Sequence, residues 1–208
     1  MKKFAPFIIM LVVVTALLIL GKNAPEHSES AKAYQQRPIL AFGDSLTFGL
    51  GAQPYQSYPA MLQRMSGVKV INAGVSGEVS GNGLKRLNAE LEQHQPALLI
   101  LCHGGNDILR GLSKEALKTN LSAMVRLAKQ KDIDVLVVGM PDLSALGFRA
   151  LPLYKEVANE HDTMYESGII GKIMRNTGLK SDRIHPNAEG YRLMAEAFYD
   201  VLKEEGRL

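Results

Sequence analysis

The fold is decided by the stretch "ILAFGDSLTFGLG", residues 39–51. Its first four residues (39–42) are all apolar, which is typical of a short strand covered on both faces of a sheet. Glycine, aspartate and serine follow at once, so the chain turns where the strand ends. Taken alone, this pattern favours a tight turn in which Ser45 caps a helix. The alternative is a nucleophilic serine held at a strand end, and the rest of the sequence decides between the two.

Three further apolar runs follow, at residues 68–72, 97–102 and 134–140. Between them lie longer stretches with apolar residues at helical spacing, and a last helix is predicted over about 187–205. Strands that alternate with helices predict a parallel sheet with helices on both faces and right-handed crossovers. A fifth strand is predicted near 162–165, within a less regular region.

The N-terminal residues differ in composition from the rest. Two lysines and a nearly continuous apolar run, residues 4–20, indicate a secretory signal peptide or a membrane anchor over residues 1–22, and both alternatives stay open. Residues 23–36 are polar and predict a linker, which leaves 37–208 as one domain. The lysines before the apolar run place the N-terminus in the cytoplasm. We therefore expect a domain that is periplasmic or anchored to the inner membrane facing the periplasm.

Composition excludes several classes of function. The chain carries a net charge of +3, of which the first 33 residues account for four lysines and two glutamates, so the remainder is nearly neutral. No basic stripe for nucleic acid is present. Cys102 is the only cysteine, which rules out an internal disulfide and a cysteine-based zinc site. No phosphate-loop motif occurs. We predict no metal and no cofactor, and the oligomeric state is not predicted.

Polar residues of catalytic types follow the predicted strands, whose carboxyl ends meet at one edge of a parallel sheet. A serine hydroxyl needs a base within hydrogen-bond reach, and histidine suits that role when a carboxylate fixes its tautomer. The segment "DRIH" (182–185) supplies both groups. An aspartate three residues before a histidine in a turn can reach Nδ1 and leave Nε2 free. These residues predict Ser45 as nucleophile, His185 as general base and Asp182 as the orienting acid.

Acyl transfer also needs donors for the developing oxyanion. The candidates are the backbone N–H groups of Ser45 and Gly77 and the side-chain amide of Asn106. Ser45 can cap a helix as well, because the turn that exposes it also aims its N–H group. Each motif alone is also typical of an ordinary turn, and only their joint occurrence at strand ends favours catalysis. Three neighbours are interpreted as supporting the site without reacting: Asp44, His103 and Asp107.

The blocks "GDSL" (43–46), the glycine block at Gly77, "GGND" (104–107) and "DRIH" resemble the four blocks of the SGNH, or GDSL, hydrolase family. The resemblance covers residues 39–199, and "GGNDILRG" is similar to the bacterial thioesterase I, lysophospholipase and arylesterase branch. It implies a three-layer α/β/α sandwich with a mostly parallel five-stranded sheet, the site residues given above, and hydrolysis of short to medium acyl esters or thioesters through an acyl-enzyme. No G-x-S-x-G motif occurs, which disfavours the ordinary α/β-hydrolase arrangement.

Substrate choice stays open because residues 141–157, which are expected to line the acyl pocket, depart from the family's pattern. A carbohydrate or cell-wall O-acetylesterase is the alternative. A membrane-tethered binding protein without turnover is less favoured, because the serine, aspartate and histidine are all intact. The expected partners are an acyl-ester substrate and, if the N-terminal segment is not cleaved, the membrane.

Overall fold

The structure, a computed structural model, describes residues 37–142 and 148–208. Within them, five strands form one sheet in the order β2-β1-β3-β4-β5, and every pairing is parallel. The strands are β1 Ile39–Gly43, β2 Val70–Gly74, β3 Leu98–Cys102, β4 Asp134–Val138 and β5 Met164–Glu166. The predicted parallel sheet with a fifth strand is confirmed.

Eight α-helices lie within the same described ranges. They are α1 Ser45–Phe48, α2 Tyr58–Ser66, α3 Ser80–His94, α4 Gly105–Leu109, α5 Lys114–Lys129, α6 Pro152–Glu160, α7 Ile169–Arg175 and α8 Ala188–Glu204. Helix α2 packs on α8, while α3 packs on α5. These two pairs cover opposite faces of the sheet, so the fold is the three-layer α/β/α sandwich that the sequence predicts.

The burial of each strand follows from its position in the sheet. Strands β1 and β3 lie side by side in the middle, and all their residues are buried. Strands β2 and β5 form the two edges and are only partly buried. An unbroken apolar run is therefore found where helices cover both faces of the sheet.

The register of the sheet brings three loops to one edge. Gly43 at the end of β1 lies level with Gly74 of β2 and with Cys102 of β3. The three chain segments that follow these residues therefore leave the sheet side by side. In parallel α/β sheets, this carboxyl edge is where ligands bind.

Side-chain caps define where the two longest helices begin. The Ser113 hydroxyl accepts a hydrogen bond from the Ala116 N–H group at 3.1 Å and so caps α5. The Asn187 side chain accepts from the Gly190 N–H group at 3.0 Å. Helix α8 consequently begins at the next residue, and the loop that carries "DRIH" ends directly in front of it.

The predicted signal or anchor segment (1–22) and linker (23–36) lie outside the described residues. Among the residues that are described, none of the helices is both long enough and apolar enough to cross a membrane.

Candidate active site

Ser45 is the first residue of α1, directly beyond the end of β1. The helix cap is Asp44 and not Ser45: the Asp44 Oδ1 atom accepts a hydrogen bond from the Leu46 N–H group at 3.1 Å. The prediction that Ser45 caps the helix is therefore wrong. The Asp44 carboxylate already accepts the free Leu46 N–H group at the start of the helix, because aspartate is among the strongest N-cap residues. The Ser45 hydroxyl is left to other partners.

The structure joins Ser45, His185 and Asp182 in one hydrogen-bonded chain. The distance from Ser45 Oγ to His185 Nε2 is 3.1 Å, across 140 residues of sequence. The distance from His185 Nδ1 to Asp182 Oδ2 is 2.7 Å. The second carboxylate oxygen of Asp182 accepts the backbone N–H groups of Ile184 and His185, both at 2.8 Å. The loop before α8 thus holds the imidazole between the carboxylate and the serine.

Asp182 is about half exposed, whereas the His185 side chain is mostly buried. Desolvation alone raises the pKa of Asp182, but the hydrogen bonds from His185 and from the two backbone N–H groups outweigh it and lower the pKa to about 2. The carboxylate therefore stays ionised at neutral pH. An ionised carboxylate at Nδ1 favours the tautomer with its proton there, so that Nε2 can accept the proton of Ser45 Oγ.

The three predicted oxyanion donors lie in the segments that follow β1, β2 and β3, whose ends are neighbours in the sheet. The backbone N–H groups of Ser45 and Gly77 donate to no acceptor among the described residues. Gly77 has a φ of 78°, which favours glycine. The Asn106 Nδ2 atom donates one hydrogen to the backbone oxygen of Glu78 at 3.1 Å. Asn106 lines the same cavity as Ser45, and its bond to Glu78 connects it to the loop of Gly77.

Two aspartates next to these residues have supporting contacts. Asp107 accepts hydrogen bonds from the Ser80 N–H group at 2.8 Å and from the Ser80 hydroxyl at 2.6 Å, which fixes α4 to the start of α3. This agrees with the prediction that Asp107 anchors the Asn106 loop. Asp44 is buried, and burial raises its pKa, although hydrogen bonds from the Leu46 and Gly105 N–H groups and from the Asn106 side chain oppose the shift.

Glu78 is the most heavily contacted carboxylate near the site. It accepts from Arg86 Nε at 2.9 and 3.0 Å, from Arg86 Nη2 at 2.8 Å, and lies 3.1 Å from His103 Nε2. Burial raises the pKa of Glu78, but the hydrogen bonds from His103 and Arg86 and the charge of Arg86 outweigh it and lower the pKa to about 2. Glu78 is therefore ionised within a largely buried cluster.

Acidification is expected to destabilise the protein through Glu78. Its pKa in the folded protein, about 2, lies below its ordinary value of 4.5, so its contribution is fully present above pH 4.5 and is lost as the pH falls through 2. Urea unfolding at about pH 5 and at about pH 3 measures how much unfolding free energy each protein loses on acidification. We expect this loss to be smaller for Glu78→Gln than for the parent. Glu204→Gln, which removes an exposed carboxylate of α8, serves as the control and should lose as much as the parent. An equal loss in Glu78→Gln and the parent would contradict the lowered pKa of Glu78 in the folded protein.

The glycines that follow α1 allow a close contact with the histidine loop. Gly49 ends α1 with a φ of 96°, and Gly51 has a φ of 98°. A Cβ atom at Gly51 would lie 2.0 Å from Ser181 Oγ and 2.8 Å from the backbone oxygen of Pro186. The chain after Ser45 therefore packs directly against the loop that carries Asp182 and His185.

Replacing Gly51 by Ala is expected to displace that loop. The left-handed conformation costs about 1–3 kcal/mol for a residue with a side chain, and the clash with the Pro186 backbone shifts His185 away from Ser45. We expect kcat to fall by about tenfold or more, because small misplacements of reacting groups are costly. Gly67→Ala is a matched control: Gly67 has a φ of 70°, and a Cβ atom there would meet nothing within 4 Å. Gly67→Ala should lower the melting temperature and leave kcat unchanged. Equal kcat values for the two variants would contradict the proposed contact between Gly51 and the loop of Asp182 and His185.

A narrow cavity of about 30 Å³ adjoins Ser45 and His185. Its apolar wall is formed by Leu109, Met140, Pro141, Ile170, Met174 and Ile184. An open groove of about 670 Å³ continues from Leu109 and Met174 to Phe148, Lys180 and Arg183. The site thus has a small apolar space beside the serine and a larger, mixed groove next to it.

The predicted pocket segment, 141–157, contributes only part of this lining. Pro141 lines the cavity and Phe148 the groove, while 143–147 lie outside the described residues. Helix α6 packs against α5 instead, so most of the second half of the segment supports the fold. Sequence reasoning missed Ile170 and Met174, because they lie in an irregular region without a motif.

A serine, a histidine and an aspartate in hydrogen-bond contact, at the carboxyl edge of a parallel sheet, are the arrangement that serine hydrolases share. The model of the GDSL-like lipase/acylhydrolase family matches residues 41–193. The chain belongs to this family and is accordingly an enzyme that hydrolyses ester bonds.

Individual relatives agree with this assignment. Esterase TesA of Pseudomonas aeruginosa is 29% identical over 175 residues, covering 79% of this chain and 87% of that protein. An arylesterase of Vibrio mimicus is 29% identical over 177 residues, covering 80% and 88%. The crystal structure of the psychrotrophic esterase EstA from Pseudoalteromonas sp., inhibited by monoethylphosphonate, matches with a TM-score of 0.71 and 27% identity, covering 81% of this chain and 98% of that one.

Proposed function

We propose that this hydrolase acts on short to medium acyl esters through an acyl-enzyme formed on Ser45. The observation that carries the proposal is the chain of hydrogen bonds from Ser45 Oγ through His185 to Asp182, at 3.1 and 2.7 Å. In this mechanism Ser45 Oγ attacks the ester carbonyl carbon while its proton moves to His185 Nε2. Asp182 stabilises the imidazolium through Nδ1 and keeps its own charge. His185 then protonates the leaving alcohol or thiol.

The negative charge that forms on the carbonyl oxygen needs donors that are already oriented. The N–H groups of Ser45 and Gly77 supply two of them, since neither has an acceptor among the described residues. The Asn106 amide, which donates to the Glu78 carbonyl and lines the same cavity as Ser45, supplies a third. Water activated by His185 subsequently attacks the acyl-enzyme, and the same donors stabilise the second tetrahedral intermediate.

The lining of the site supports an acyl group of limited length. The narrow apolar cavity accepts the first carbons of an acyl chain, and the groove beyond Met174 accepts a few more or the leaving group. Relatives named esterase and arylesterase are consistent with ester substrates of this kind.

Hydrolysis of p-nitrophenyl acetate, butyrate, octanoate and palmitate tests this proposal. We expect the highest kcat/KM with butyrate or octanoate and a value at least about tenfold lower with palmitate, because methylenes that exceed the apolar lining gain no binding energy. Highest activity on palmitate would contradict the proposed acyl length. Absence of hydrolysis for the whole series would contradict the esterase proposal itself.

A carbohydrate or cell-wall O-acetylesterase is the second candidate, and the size of the cavity favours it. A volume of about 30 Å³ is small, which suits an acyl group as short as acetyl. In the same ester series, this candidate predicts activity on the acetate alone. Equal or higher activity on octanoate would exclude it.

We also propose that the domain, residues 37–208, works on the outer side of the cytoplasmic membrane. The support is the sequence before it, where two lysines precede an apolar run. N-terminal sequencing of the protein from periplasmic and membrane fractions distinguishes a cleaved signal from a retained anchor. Recovery of the full chain in the cytoplasmic fraction would contradict this location.

A further inference from the structure

His103 is a fully buried histidine whose hydrogen bonds define its tautomer. It follows β3 directly, and its Nδ1 atom accepts the backbone N–H group of Gly104 at 2.9 Å. A ring nitrogen that accepts a hydrogen bond carries no proton, so the Nε2 atom is the donor. The Nε2 atom lies 3.1 Å from Glu78 Oε2. His103 is fully buried and does not line the cavity beside Ser45.

Arg86 holds the same carboxylate from the other side and ties it to the sheet. Its Nη2 atom also donates to the backbone oxygens of Ala73 at 2.8 Å and Gly43 at 3.3 Å, which lie at the ends of β2 and β1. Its guanidinium lies 4.0 Å from the centre of the Phe42 ring. The Glu78 carboxylate is thus fixed relative to the ends of the three strands that lead into the site.

The main chain of Glu78 contacts Asn106 and adjoins Gly77, two of the proposed oxyanion donors. Its carbonyl oxygen accepts the Asn106 amide at 3.1 Å, and its nitrogen follows Gly77, whose carbonyl oxygen is bound by Arg110 at 2.8 Å. Glu78 therefore links its anchored carboxylate to Gly77 and Asn106, the two oxyanion donors that do not belong to the turn of Ser45. Donors act on a transition state only when they are held in position before the charge develops.

We propose that His103 and Glu78 form a positioning pair that sets the Gly77 N–H group and the Asn106 amide for the oxyanion. This inference rests on the proposed esterase mechanism. His103 holds the Glu78 side chain, the Glu78 carbonyl orients the Asn106 amide, and the adjoining peptide fixes the Gly77 N–H group. Neither member touches the substrate, so removing their contact should lower kcat and leave KM nearly unchanged.

Two substitutions at His103 separate its two hydrogen bonds. His103→Gln places an amide nitrogen near the position of Nε2 and keeps a donor for Glu78. His103→Asn places an oxygen near the position of Nδ1, which keeps an acceptor for Gly104 but does not reach Glu78. We expect His103→Gln to retain kcat within about threefold. We expect His103→Asn to lower kcat by about 10- to 100-fold at similar KM, as small shifts of positioned groups do.

A double-mutant cycle with Asn106→Ala tests whether the pair acts through the oxyanion donors. Asn106→Ala alone should lower kcat by on the order of 10²–10³. In that background, His103→Asn should lower kcat further by only about threefold, because its effect has largely been removed already. The same factor in both backgrounds would overturn the proposal and leave the pair a role in the fold alone. So would the reverse ranking, in which the Asn variant is active and the Gln variant is not.

Glu78→Gln provides a second route if the His103 variants do not fold. It should lower kcat at neutral pH with KM unchanged, and its effect should likewise shrink beside Asn106→Ala. Thermal unfolding of each variant identifies losses of activity that come from unfolding. The parent and Ser45→Ala are assayed together: activity that does not depend on Ser45 refutes the esterase mechanism. Ser45-dependent activity that is insensitive to His103 and Glu78 refutes only the positioning pair.

Discussion

Ser45→Ala is expected to lower kcat for p-nitrophenyl butyrate by a factor on the order of 10⁴–10⁶, because removal of the nucleophile of a serine triad leaves only the oxyanion donors and binding. KM should change little, since the hydroxyl adds almost nothing to substrate affinity. Ser45 makes no other side-chain hydrogen bond than that to His185 among the described residues, so the fold should tolerate the change. Steady-state kinetics on protein purified away from host esterases gives the factor.

The chain offers a matched control at a second serine–histidine contact. Ser122 Oγ, in helix α5, lies 2.7 Å from His161 Nε2. Ser122 lines neither the cavity beside Ser45 nor the groove next to it. Ser122→Ala should therefore retain the parent's kcat. Comparable losses in the two serine variants would mean that Ser45 is not the nucleophile.

Asp182→Asn is expected to lower kcat by on the order of 10³–10⁴ by reversing the tautomer of His185. The Asn oxygen can still accept the backbone N–H groups of Ile184 and His185, so the loop should keep its shape. Its NH₂ group would then face Nδ1 and force the proton to Nε2, where it blocks transfer from Ser45. The expected variant is folded and nearly inactive.

Asp200→Asn serves as the control, because it also removes one carboxylate, on the exposed side of α8. It should leave kcat and KM at the parent's values. Circular dichroism and thermal unfolding show whether Asp182→Asn is folded under the assay conditions. A loss of less than about tenfold in a folded Asp182→Asn protein would show that the carboxylate does not set the tautomer.

The sequence predicts the central sheet well because the central strands are apolar throughout. The predicted strand 39–42 differs by one residue from β1. Strand β2 is predicted at 68–72 but spans Val70–Gly74, since its last residues pair with the end of β1 at a partly exposed edge. An edge strand can end in Asn, Ala and Gly without an apolar signal. The prediction at 134–140 extends past β4, which ends where β5 stops pairing with it.

The chemistry of the site depends on short segments whose internal geometry is local. Asp182 and His185 lie in one turn, and their contact follows from their spacing. The contacts of Glu78, the residue after Gly77, do not follow from sequence spacing. Glu78 meets His103 across 25 residues and Arg86 across 8. No sequence periodicity indicates such contacts. None indicates that Ile170 and Met174 of α7 line the cavity either. Sequence motifs therefore predict the proposed reacting groups, whereas the contacts proposed to position them are visible only in the structure.

Labelling with a fluorophosphonate probe, followed by mass mapping of the modified peptide, tests the account most directly. We expect one adduct per chain, on Ser45, with no labelling of Ser45→Ala and unchanged labelling of Ser122→Ala. An adduct on another residue, or esterase activity that persists without any adduct on Ser45, would contradict the proposed nucleophile.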